Sequence, residues 1–183
     1  MALDLKALDE KVDFDGLNKD IKAAEENGGT GEFPQLPAGH YFVKMENLEL
    51  GETKDSRPMV KWMFRVIDAA QKSDLSDAGV KGSNKDAIDF MDNYKPKKKP
   101  CMFMNRVIYG NRVTDSWNDG VAIQGVVTWL QKLECDFDVS FHNYSDFADV
   151  LLDVAEDMED VEMLVSYDPD AFNSVSVVEV YDN

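Results

Sequence analysis

A chain of 183 residues has room for one full domain with some decoration, and not for two large ones. Its longest apolar run falls well short of the roughly 20 residues that span a bilayer, and its opening, Met1-Ala-Leu-Asp-Leu-Lys6, has neither the basic start nor the apolar block of a signal peptide. The net charge of −17 argues against nucleic acid as a partner until its distribution is considered.

The cations are concentrated. Residues 38–112 hold 14 of the 19 Lys and Arg against 10 Asp and Glu, a net charge of +4. Residues 1–37 are net −5 and residues 113–183 net −16. Screening limits electrostatic reach to about 10 Å, so a local patch and not the global charge decides what is bound. Two cysteines, Cys101 and Cys135, make no disulfide framework, and a reducing cytoplasm is the expected compartment.

Residues 1–37 read as a peripheral extension. Asp15 can cap a helix from Gly16 to about Glu26, which Asn27-Gly-Gly29 stops, and a linker with two prolines follows. Asp13-Phe-Asp-Gly16 imitates the start of a calcium loop, but in that register Lys11 and Lys22 fall where acids are needed. The main domain is expected over 38–183.

His40 to Glu49 is predicted to be the first strand and Met59 to Ile67 the second, joined by the polar turn Gly51–Arg57 into a hairpin. With a period of two, Val60, Trp62, Phe64 and Val66 form a core face. Lys61, Met63 and Arg65 fall on the opposite face, which Phe42 and Lys44 extend. Cations interleaved with flat apolar groups suit a phosphate backbone carrying stackable bases. Residues 69–100 read as a long basic loop, with Lys97-Lys98-Lys99 held extended between Pro96 and Pro100 and Tyr94 nearby for stacking. Cys101 to Tyr109 is a third strand; its pattern leaves the core side open, with Arg106 on one side and Phe103 and Tyr109 on the other.

A helical insert is expected over 119–160. Its first helix runs from Gly120 to Glu134 behind Asp119, with Ile123, Val126, Val127, Leu130 and Leu133 at helical spacing. Phe137, Val139 and Phe141 suggest a short extended piece. A second helix follows, capped by Ser145, and its outer face carries Asp149, Asp153, Glu156, Asp157 and Asp160. Val161–Tyr167 and Phe172–Tyr181 are the last two strands. The expected fold is therefore α+β and mainly β: a five-stranded OB-fold-like barrel, strand-strand-strand-helices-strand-strand, with an N-terminal helical extension.

Several stretches resemble a phage and prophage protein family catalogued as a domain of unknown function: the run from Leu36-Pro-Ala-Gly-His-Tyr-Phe-Val-Lys44 through Met59, Asn27-Gly-Gly29, Phe103-Met-Asn-Arg-Val-Ile108, and the helix opening at Asn143-Tyr-Ser-Asp-Phe-Ala-Asp149. The resemblance covers nearly the whole chain. It implies a cytoplasmic phage protein that binds single-stranded DNA through an OB-fold and serves replication or recombination.

No catalytic constellation is present in the sequence. Two histidines and two cysteines lack the close ligand spacing of a zinc site, so neither metal nor cofactor is expected. Pro169-Asp170 followed by Glu179-Val-Tyr181 imitates a nuclease pattern without its lysine. No glycine-rich phosphate loop occurs. The expectation is a sequence-independent single-stranded-DNA-binding protein and not an enzyme. Phe42, Lys44, Lys61, Met63, Arg65, Tyr94, Lys97, Lys98, Lys99, Arg106 and Tyr109 would hold DNA. The acidic helix face would recruit a phage recombinase or replication protein, and a strand edge could pair copies into a homo-oligomer. The alternative is an acidic adaptor or DNA mimic that binds only protein.

Overall fold

The computed structural model describes residues 35–108, 112–133 and 142–181, together with Asp15, Asn18 and Lys19; for 112–119 it describes the backbone alone. The chain divides into two compact units, Met1–Gln35 and Leu36–Asn183, and the second holds the sheet. Of the helix expected from Gly16 to Glu26 only Asn18 and Lys19 are described, both helical; its other residues, the extended piece at 137–141 and Tyr109 lie outside the described residues.

Five strands form one antiparallel sheet: β1 (Gly39–Glu52), β2 (Pro58–Ala69), β3 (Cys101–Val107), β4 (Glu162–Asp168) and β5 (Ser174–Tyr181). Their spatial order is β3-β2-β1-β4-β5. The sheet is open, and this corrects the expected barrel: among the described residues no ladder joins β3 to β5, so these two are its edges. The architecture is α+β; in this unit the described residues form four α-helices, α1 (Lys72–Asp77), α2 (Lys85–Asn93), α3 (Arg112–Leu130) and α4 (Tyr144–Asp157). Among the described residues no helix is long and apolar enough to cross a membrane.

The alternation in β2 works as its pattern predicts. Val60, Trp62, Phe64 and Val66 are buried on one face with Tyr41, Val43, Met45 and Leu48 of β1 and Met163 and Val165 of β4. Val126 and Leu130 of α3, and Phe147, Leu151 and Val154 of α4, close the core over that face. Trp129 sits edge-on to Trp62, with ring centroids 5.5 Å apart, and its indole N–H donates to the Val175 carbonyl at 2.8 Å. That bond ties α3 to the edge strand β5.

Three local expectations are corrected. Helix α3 begins at Arg112 and not after Asp119, so Asp119-Gly120 lies inside it. A mid-helix glycine costs about 1 kcal/mol against alanine, an amount that tertiary packing overrides. The cap of α4 is Asn143, whose side chain accepts the Asp146 N–H at 2.9 Å, and not Ser145. The connection over 69–100 is not a loop throughout, since it contains α1 and α2. Leu75, Ala87 and Met91 are the buried residues of these helices, and Asn84 stitches the segment to the sheet. The Asn84 side chain accepts the His40 N–H and donates to the His40 and Ala70 carbonyls, each at 2.8 Å.

Candidate nucleic-acid interface

The face of β2 turned away from the core carries Lys61, Met63 and Arg65. Register places Lys61 opposite Asn105 on β3 and Glu49 on β1, Met63 opposite Phe103 and Asn47, and Arg65 opposite Cys101 and Lys44. This settles the sides of β3: Met102 is buried in the core, whereas Phe103 is 56% exposed beside Met63. A flat apolar step, Met63 with Phe103, therefore lies on the open face next to Lys61. Lys61 crosses Gly51 so closely that a Cβ there would come within 2.9 Å of its Nζ. The glycine leaves room for the ammonium group.

Arg65 is not a free cation. A register shift between Met45 and Asn47 marks a β-bulge in β1 at Glu46. The Glu46 carboxylate accepts a bidentate pair from Arg65, Nε at 2.7 Å and Nη2 at 2.8 Å. The hydrogen bond from Arg65, with the charge of nearby Lys98, holds the Glu46 carboxyl below its ordinary pKa. The remaining arm of the guanidinium, Nη1, donates to the Lys99 carbonyl at 2.7 Å, and the Val66 N–H donates to the Pro100 carbonyl at 3.0 Å. Arg65 thus positions the basic segment and does not itself await a phosphate. Lys97, Lys98 and Lys99 are exposed beside this anchor. Among the described residues no carboxylate lies within ion-pair distance of them or of Lys61.

Tyr94 opens this basic strap, half-buried, with its ring 5.6 Å from Phe90. Burial raises the Tyr94 hydroxyl above its usual pKa, and Cys101 beside it adds to the shift. Lys44 stands 3.9 Å from Asp160, an exposed pair of little strength. The two line a groove of about 660 Å³ between β1 and α4, which also takes in Glu156 and Leu152. Asp149, Asp153, Glu156, Asp157 and Asp160 are all exposed, and Leu152 is 50% exposed among them.

Two proposed contacts do not join this face. Phe42 points to the same side of the sheet as Lys44, but α1 covers it. Phe42 packs with Leu75, Leu164 and Tyr181, its ring centroid 6.0 Å from that of Tyr181. Arg106 pairs with Val60 in register and so lies on the opposite side of β3 from Lys61. Its guanidinium rests against α3, where a Cβ on Gly125 would meet Nη2 at 3.2 Å.

Two residues that the sequence reading did not place among the DNA contacts stand out. Phe103 carried a signal, its alternation with Met102 and Met104, but only the register shows which side is wet. Phe172 in the β4–β5 turn is 97% exposed, with φ of 55°, next to Asn173 at 53°. A left-handed phenylalanine without cover is uncommon enough to invite a functional explanation. Comparison of the chain with family models, with curated proteins and with solved structures gives no match.

Proposed function

We propose that this protein binds single-stranded DNA without sequence preference, on the outer face of β2 and β3. The observation that carries this reading is the pinned strap: three exposed lysines, Lys97–Lys99, held by Arg65 beside the apolar step of Met63 and Phe103. The lysines neutralise phosphates, and Met63, Phe103 and Tyr94 offer flat contact to bases. Such contact tolerates any sequence, because every base has a π-face. The residue set therefore differs from the sequence-based one. Lys61 and Lys97–Lys99 carry the charge, Arg65 positions the strap, Lys44 is a minor contributor, and Phe42 supports the fold.

The strand order supports a partly open OB-fold-like sheet, a class that binds oligonucleotides on its second and third strands. Closure would need β3 to meet β5, and the Val175 N–H already approaches the Met104 Sδ at 3.4 Å. The role proposed is in phage replication or recombination in the host cytoplasm, in keeping with the family resemblance. The protein acts there as a binding protein and not as an enzyme. The acidic face of α4 is proposed to recruit a basic recombinase or replication partner.

A labelled oligo-dT titration at low and moderate salt, against a duplex control, tests this. Each neutralised phosphate contributes about −0.7 to the slope of log affinity against log salt, so engagement of Lys61 and the three strap lysines predicts a slope of about −3. Absence of binding at low salt rejects the reading. The acidic adaptor would then be favoured by Leu152, half exposed amid the carboxylates of α4.

A further inference from the structure

The groove of about 660 Å³ between β1 and α4 has an apolar lining, Ile67, Leu152 and Ala155, between charged sides. Lys44, Glu46 and Arg65 stand on the sheet side, and Glu156, Glu159 and Asp160 at the end of α4 and just beyond it. Both cations are already engaged: Arg65 by Glu46, and Lys44, weakly, by Asp160. Glu156 and Glu159 are exposed and have no cationic partner among the described residues. The groove thus joins surplus negative charge to an apolar surface. A fitting occupant carries cations on long aliphatic stems, which lie along apolar surface while their heads reach the carboxylates.

The same chain displays such a segment at the edge of the groove. Tyr94 to Pro100 holds four lysines and no acid. Arg65, which lines the groove, also holds the Lys99 carbonyl, and Lys98 lies close enough to act on Glu46. Bonds at Lys99 and Pro100 fix the strap, and among the described residues its lysines reach no carboxylate. The strap therefore leaves the groove of its own chain unfilled. Lys97 to Lys99 spans about 6 Å of extended chain, close to the rise of the one turn of α4 from Leu152 to Glu156. A strap and a groove of complementary charge, side by side on one surface, suit a two-fold interface, in which every contact is made twice.

We infer that the groove receives the Lys97–Lys99 strap of a second copy, in a closed two-fold dimer. The lysine stems lie on Leu152 and Ala155, and their ammonium groups meet Glu156 and Glu159. The net charge of −17 on each copy does not forbid this. At 0.1 M salt charges reach only about 10 Å, so the touching surfaces decide. The strap is also the proposed phosphate contact, so a single strand and a second copy compete for it. That competition, and not the dimer, rests on the single-stranded-DNA reading.

The test is the mass of the full chain by sedimentation at 0.1 M and 1 M salt. At 0.1 M the mass should approach twice that of one chain as concentration rises, and at 1 M it should fall back. Lys98→Glu and Glu156→Lys change exposed side chains, and each alone should weaken the dimer about tenfold or more by setting like charges together. Mixed in equal amounts the two variants should recover a dimer, because each strap then meets a groove of opposite charge. A mixture that stays monomeric, or a dimer indifferent to both reversals, overturns the inference. A parent chain that stays monomeric at 0.1 M salt also overturns it and leaves the groove to a basic partner protein. Oligo-dT added to the dimer should release single chains bound to DNA. A dimer that obeys the charge reversals while the chain binds no oligo-dT upholds the interface and rejects the DNA reading.

Discussion

One face of one sheet has two fates in this protein. Toward β4 and β5 it is roofed: α1 lays Leu75 on Leu164, with Phe42 and Tyr181 packed around them. Toward β2 and β3 it stays open, with Phe103 and Met63 side by side and Lys61 next to them. The alternating pattern is the same in both halves. What differs is the connection between β2 and β3, which spends its first half covering the sheet and its second half, the lysine strap, along its open margin. Aromatic residues under the roof stabilise the fold, and those beyond it are free to bind.

The largest expected effect tests the roof. Asn84 is buried, and its side chain makes three hydrogen bonds that hold the 69–100 segment to β1 and the end of β2. Asn84→Ala strands their backbone partners and should cost about 3 kcal/mol, since each buried group left unsatisfied costs about 1–3 kcal/mol. Urea unfolding reads this as a lower midpoint. A loss below about 1 kcal/mol would mean that the roof is held by apolar contact alone.

The next effect tests the open half. Replacing Lys97, Lys98 and Lys99 together by alanine removes the three proposed phosphate contacts. The salt slope should fall by about 2, with an affinity loss of tenfold or more at low salt. The lysines are exposed and unpaired among the described residues, so stability should move by less than about 0.5 kcal/mol. A large stability loss with unchanged DNA binding would make the strap structural.

Phe42 and Phe103 then sharpen the contrast within one residue type. Phe42→Ala should lower stability by about 2 kcal/mol, less than the 3–5 of a fully buried phenylalanine, and leave DNA binding nearly unchanged. Phe103→Ala should leave stability almost untouched and weaken binding by about 1 kcal/mol, the low end of a base–aromatic stack. If the two exchange roles, the division of the face is wrong.

The sequence discloses the strands and the core face of β2 because period-two alternation is a strong local signal that burial obeys directly. It does not disclose the roof, because α1 and α2 are short helices whose few apolar residues are spaced among charges. They gain stability from the sheet and from Asn84, contacts far away in the chain. Sheet closure is equally non-local, since the element order of a barrel is also that of an open sheet until β3 meets β5. The site is half legible. Lysines between prolines announce an exposed strap, but only the bulge at Glu46 shows that Arg65 is already engaged, and only the register of β3 turns Phe103 outward and Arg106 away.

The smallest effect concerns that engagement. Glu46 is held below its ordinary pKa of 4.5 chiefly by the hydrogen bond from Arg65, with Lys98 adding to it. A carboxylate whose folded pKa is depressed contributes stability that is complete above its unfolded value, here about 4.5, and lost as pH falls through the lower folded value. Stability should therefore decline in acid below about pH 4.5 by a small amount, under about 1 kcal/mol, because the Glu46 side chain is 38% exposed and solvent screens the pair. Glu46→Gln should abolish this component of the acid dependence. It also removes one negative charge from the proposed DNA-binding face and leaves Arg65 uncompensated, so affinity should rise about two- to threefold at low salt, with a salt slope steeper by up to about 0.7. Weaker binding in this variant would show that the Glu46–Arg65 pair serves the interface mainly by holding the strap, and that geometry there outweighs charge.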